Sequence, residues 1–240
     1  MIVADAFTPG TFVDAFRFIG DNSSLILTKV GEQLGLSASA IGVSLALALP
    51  LGVWLGHLHR GSFLTINVSN VGRALPSLAV VALGLTFLPI GFWDVLVALV
   101  VLALPPMLTN AYVAVDEVDA EVVEAARAMG MASWQVLLRV ELPLALPLIF
   151  AGIRTATVYV VSTATLAGIA GGGGLGDILF NQASYQLAGV VGAAYCVSAL
   201  ALGADLAFGA LQFAVTPRAL RRPGKALEPD VVTGVVAVEQ

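Results

Sequence analysis

QLGLSASAIGVSLALALPLGVWLGHLH, residues 33–59, contains no Asp, Glu, Lys or Arg. In lipid such a run must be helical, because a helix satisfies its own backbone polar groups, and about 20 apolar residues cross the hydrocarbon core. Ala74–Trp93, Val95–Val115, Thr155–Gly176 and Ile178–Ala204 are equally free of formal charge. The chain therefore reads as all-α, a polytopic integral membrane protein with about five transmembrane helices at roughly 35–57, 66–88, 93–114, 145–168 and 189–213. Of its 240 residues 58% are hydrophobic and 11% charged, with a mean hydropathy of +0.94, whereas soluble chains carry about 25% charged residues. That balance excludes an ordinary soluble enzyme, a disordered chain and a nucleic-acid-binding module. The single cysteine, Cys196, lies in an apolar run and excludes an internal disulfide or a Cys-based zinc site.

Basic residues near the span ends orient the bundle. Arg60, Arg127, Arg139 and the group Arg218, Arg221, Arg222 and Lys225 fall on one side of a five-span chain, and the connections at Pro89–Phe92 and Gly171–Gln186 have no basic residue. This predicts the N-terminus outside, the C-terminus inside and the 115–143 loop in the cytoplasm, with Arg17 and Lys29 as dissenting charges. Residues 1–32 read as an external or interfacial segment, with Phe12, Phe16 and Ile19 at helical spacing in a surface helix over 11–30. No basic stretch precedes their apolar residues, so they are expected to stay on the chain rather than act as a signal peptide. Residues 33–215 form the transmembrane domain, and residues 216–240 a weakly structured cytoplasmic tail.

The densest charge lies in that loop, in DEVDAEVVEAARAMG, residues 116–130. It is rich in Ala and Glu and has no breaker before Gly130, so it predicts a helix, with acids at the positive end of its dipole and Arg127 at the other. Ala126 and Gly130 are four apart and share a face, where small side chains would let another surface approach the backbone. Pro143 and Pro147 mark re-entry into the membrane.

Glu124-Ala125-Ala126, three residues, Gly130, nine residues, Val140, one residue, then Leu142-Pro143 resembles the EAA loop of ABC importer permeases, with valine at the usual isoleucine position. An Ala-rich helix ending in glycine accounts for the first half alone, but not for the spaced Val-x-Leu-Pro or the placement before a late span. Arg73-Ala74-Leu75-Pro76, Leu104-Pro105-Pro106 with Asn110-Ala111-Tyr112, Gly152-Ile153-Arg154-Thr155-Ala156 and Thr163–Ala167 with Gly172–Gly176 look like the permeases of osmoprotectant importers, which carry glycine betaine, carnitine, choline or proline betaine. The resemblance covers roughly residues 33–215 and implies a type I ABC importer permease fold in a bacterial-type cytoplasmic membrane. It implies two permease subunits (of the same or a homologous chain), a cytoplasmic ABC ATPase that uses ATP and Mg, and an external solute-binding protein. Glu124, Ala125, Ala126, Arg127, Gly130, Val140, Leu142 and Pro143 would couple to the ATPase, and Arg73, Pro76, Tyr112, Arg154 and Tyr159 would belong to the translocation path or gate.

No Gly-x-x-x-x-Gly-Lys-Ser/Thr loop is present, so the chain is read as a transport subunit and not an enzyme, binding no cofactor of its own. Arg154, Arg73 and Asp205 sit in or near spans, where charge is costly and faces a partner, the interior or, by snorkelling, the interface. Tyr159, Tyr112, Trp54 and Trp93 offer faces to a quaternary ammonium, though aromatics at span ends are more often anchors. Gly171–Gly176 reads as an external turn, hinge or docking surface, and His57 and His59 lack a metal-ligand set. The rivals are an importer permease for another small polar solute, an ion-coupled secondary transporter and a membrane enzyme. The last two would show repeats with midplane acids, or a clustered nucleophile–base set.

Overall fold

The structure is a computed structural model that describes residues 9–216; expectations for residues 217–240, Arg218 to Lys225 among them, lie outside the described residues. The order is α1 (Pro9–Asp21), α2 (Ser23–His57), α3 (Ser62–Ala74), α4 (Ser77–Phe87), α5 (Phe92–Asp116), α6 (Ala120–Ala128) and α7 (Ser133–Val136). A π-helical turn (Leu137–Glu141), α8 (Leu142–Thr163), a 3-10 turn (Ala164–Gly168), α9 (Gly176–Leu179) and α10 (Gln182–Val215) follow. Four helical runs are long and apolar enough to cross a bilayer, namely α2, α5, Ser133–Gly168 and α10, and the bent pair α3–α4 brings the number to five if it is one broken span.

The span expected at 66–88 is bent rather than continuous. α3 and α4 meet at 93°, and at about 1.5 Å per residue neither reaches across a core of about 30 Å. Pro76 is the cause: its ring forces the preceding Leu75 out of the helical region, to φ −71° and ψ 122°. The first span also starts earlier than expected. α2 begins at Ser23, so the division placed at residue 33 falls inside one helix, and the surface helix expected over 11–30 is broken at Asn22. α1 does not stand alone on the membrane surface but packs along α10, with Phe16 stacked on Tyr195 at 5.2 Å and Phe18 edge-on to Tyr185 at 6.2 Å.

The main seam joins α2 to α5. Ala48, Gly52 and Gly56 recur every fourth residue on one face of α2. A Cβ on Gly52 would stand 2.7 Å from the Cβ of Ala111, and one on Gly56 would stand 2.7 Å from the carbonyl oxygen of Tyr112. Small residues therefore bring the backbones together where lipid supplies no hydrophobic drive. α8 joins the same way, its Gly152 set against Asn110 of α5. Leu99, Met107, Ala156 and Val160 close the core between them.

At the end of the bundle where α2 begins, its polar groups hold the glycine turn. The Glu32 carboxylate accepts from Gly174 N–H at 2.8 Å, and Lys29 pairs with Asp177 at 2.7 Å and Glu32 at 2.9 Å. The fully buried Gln33 donates to the Val161 carbonyl at 2.9 Å and accepts from Leu175 N–H at 3.2 Å. Gly173 and Gly174 take φ of +82° and +84°, which side-chain-bearing residues rarely adopt.

Candidate functional site

The 115–143 loop folds as a small unit with its own core. The Asp119 side chain accepts from Glu121 N–H at 2.9 Å and starts α6. Gly130, at φ +84°, ends it, with Met131 N–H returning to the Ala126 carbonyl. Val123, Ala126 and Val136 are buried together, and Val118, Met131 and Val140 pack around them. Ala126 is 2% exposed. Its small side chain therefore lets α6 sit on α7, and does not present the docking face that its spacing from Gly130 suggested.

Leucine at position 126 overfills this core, a change that costs about 1–3 kcal/mol. Ala126→Leu is expected to reduce co-purification of a partner ATPase while the chain still inserts into the membrane. Measuring both from one preparation checks it.

Glu124, Ala125, Arg127 and Gly130 are exposed, and neither Glu124 nor Arg127 has an ion-pair partner among the described residues. Beside them stand two large apolar side chains that the sequence reading missed, Met129 at 77% and Trp134 at 60% exposure, with Val122 and Leu138 also exposed. An apolar patch rimmed by unpaired charges is the composition of a docking surface. Val140 and Leu142 face inward: Val140 belongs to the loop core, and Leu142 packs on the cluster of Ala111, Val115, Ile149 and Ile153 beneath it. Pro143 stands where the π-helical turn passes into α8.

The loop is tied to the bundle by groups that sequence spacing did not connect. The His57 imidazole lies 2.6 Å from Glu141 through Nδ1 and 2.7 Å from the Ser133 hydroxyl through Nε2, and His59 lies 2.8 Å from Asp116. An acid at the membrane boundary, Glu141, was the available signal, because burial obliges it to find a partner.

α8 carries the second half of the site. Ala151, Arg154, Thr155, Val158, Tyr159 and Ser162 recur at helical spacing and are open to the exterior of the bundle, whereas Gly152, Ile153, Ala156, Thr157, Val160 and Val161 are buried. Arg154 makes a bidentate pair with Asp205 of α10, 2.6 Å on each arm, which supplies the partner of both span charges. A cavity of about 510 Å³ opens on Arg154, Thr155, Asp205 and Gln212. A second, of about 480 Å³, lies between Gly72, Pro106, Asn110, Thr155 and Tyr159. Thr155 lines both. Arg154 and Tyr159 are thus brought to one stripe. Tyr112 is not: it is buried, with its hydroxyl facing Asp116 and Ser62. Pro76 makes the bend, and Arg73 lies near the end of α3. Trp54 and Trp93 are exposed and line neither cavity.

The model of the family described as binding-protein-dependent transport system inner membrane component matches residues 48–221. The chain belongs to that family. The permease is 38% identical over 205 residues to the carnitine transport permease protein OpuCB of Listeria monocytogenes, covering 85% of this chain and 94% of that one. It is 37% identical to the glycine betaine/carnitine/choline transport system permease protein OpuCB of Bacillus subtilis (strain 168), with the same coverage of each. Its fold matches a chain of the MetNI methionine ABC transporter, solved in inward-facing conformations, at a TM-score of 0.72 and 24% identity over 81% of the permease and 98% of that chain. The expected all-helical, importer-permease architecture is therefore observed, in a multi-pass protein of the inner membrane.

Proposed function

We propose that the permease forms the path by which an ATP-driven importer moves a quaternary-ammonium or betaine-type osmoprotectant, and that α6 and α7 receive the motion of a separate ATPase. The stripe on α8 carries this reading. A membrane helix exposing Arg154, Thr155, Tyr159 and Ser162 to lipid would pay heavily, so the face belongs to a water-filled path, completed by a second permease subunit. Cavities of this size hold a small solute, and the Tyr159 ring with the Asn110 and Thr155 side chains suits a compact cation or zwitterion. The names of the relatives support the same cargo class. An external binding protein would deliver the solute and do most of the selecting, because a tight pore site would slow release. Arg60, Arg127 and Arg139 support an inside C-terminus and an outside N-terminus, so that Met129 and Trp134 face the cytoplasmic ATPase, which uses ATP and Mg.

Reconstituted with the ATPase and binding protein that co-purify with it, the permease is expected to support ATP-dependent uptake of radiolabelled glycine betaine, carnitine or choline. Uptake of amino acids or sugars and none of these would overturn the cargo assignment and leave the importer standing.

A further inference from the structure

We propose that His57 is the joint through which the coupling unit moves α2, a positioning residue for ATP-driven transport; the inference rests on the coupling role proposed above for α6 and α7. His57 is the last residue of α2, Ser133 the first of α7 and Glu141 the last of the π-helical turn leading into α8. One rigid ring therefore bridges the inner end of α2 to both ends of the segment that joins the coupling unit to the membrane. The His57 and Glu141 side chains are 7% and 1% exposed, and the second Glu141 oxygen, Oε1, is buried with no hydrogen-bond partner. Both ring nitrogens are engaged, Nδ1 with the Glu141 carboxyl oxygen Oε2 at 2.6 Å and Nε2 with the Ser133 hydroxyl at 2.7 Å. Hydroxyl, imidazole and carboxylate in this order activate serine in hydrolases. Here the ring is sealed beneath an exposed Ser133, and the set ties elements together rather than opening on a substrate cleft.

The tie has mechanical content because α2 is not free beyond it. Gly52 and Gly56 lock α2 against the backbone of α5 within the last turns before His57. A displacement of α6 and α7 therefore reaches α8 through the chain, and α2 with α5 through the ring, so both walls of the bundle move as rigid bodies. The nearby His59–Asp116 pair closes the α2–α3 turn on α5.

The test uses the complete transporter in proteoliposomes, with ATPase and binding protein, and reads co-purified ATPase, ATP hydrolysis with and without loaded binding protein, and glycine betaine moved per ATP. His57→Ala is expected to retain the ATPase and lose at least tenfold in cargo per ATP, with hydrolysis no longer stimulated by the binding protein. His57→Asn, whose amide can still donate to Glu141, is expected to return to within threefold of the unaltered chain. A folding defect lowers all readings together and leaves the ratio alone. Unchanged cargo per ATP in His57→Ala, or no recovery in His57→Asn, overturns the joint. Where His57→Ala does not assemble, Glu141→Gln keeps the shape and replaces the carboxyl group by an amide: a fall of threefold or more in cargo per ATP supports the joint, and no fall overturns it. An unaltered chain that retains no ATPase overturns the coupling role itself, a failure separate from these.

Discussion

Replacing Met129 and Trp134 together by alanine is expected to weaken ATPase association by thirtyfold or more while leaving the stability of the permease in detergent unchanged. Met129 and Trp134 are the most exposed large apolar residues of the coupling unit, and they lie outside its core of Val123, Ala126 and Val136. Truncating a central aromatic at an interface costs about 2 kcal/mol or more, and each 1.4 kcal/mol is tenfold. Surface substitutions away from core, caps and networks stay within about 0.5 kcal/mol of neutral for folding. Titrating the ATPase onto immobilised permease, beside a thermal unfolding curve, separates the two effects. Undiminished association of this double variant would move the docking surface elsewhere. The contrast with Ala126→Leu is diagnostic, since that change acts by unpacking α6 from within.

The second large effect lies in the glycine turn between α8 and α10. Gly176→Ala is expected to abolish folded expression, because a Cβ there would collide with the Thr165 carbonyl oxygen and lie 2.9 Å from Gly168 N. Both are backbone atoms of the 3-10 turn, which cannot swing aside as a side chain can, so the cost is expected to exceed the usual overpacking range of about 1–3 kcal/mol. Gly203→Ala on α10 is the control: nothing lies within 4 Å of its added Cβ, and alanine is favoured over glycine within a helix by roughly 0.5–1 kcal/mol. Fluorescence-detected size exclusion of the two variants checks the pair. A monodisperse Gly176→Ala protein with unaltered melting would show that the turn is not packed as described.

Charge-free runs such as 33–59 made the membrane helices legible from composition, because lipid admits few unpaired charges. The 116–143 stretch was legible as a helix, a glycine stop and a return into an apolar helix, because these are local features. The bend at Pro76 was legible too, but an unbroken apolar run masked it: hydropathy averages over a kink that one ring creates.

Which face of a helix looks inward was not local. The four-residue spacing of Ala126 and Gly130 puts them on one side of α6, yet what that side meets is Val136, on a different helix beyond a glycine turn. The partners of the membrane charges lie further off still. Arg154 meets Asp205 across 51 residues, and His57 meets Glu141 across 84. A sequence read alone states that such charges need partners, since burial without one is costly. The choice of partner is made when α8 packs on α10 and α2 on α5, where Gly52, Gly56 and Gly152 set how closely the backbones approach. The sequence by itself thus determined the helices, the lipid solvent and the place of the charged 116–130 helix, through periodicity and transfer energy acting over a few turns. Tertiary structure alone decided the α8 stripe, the inward turn of Ala126 and the His57 tie, because each depends on contacts between segments that only helix packing brings within hydrogen-bond or van der Waals range.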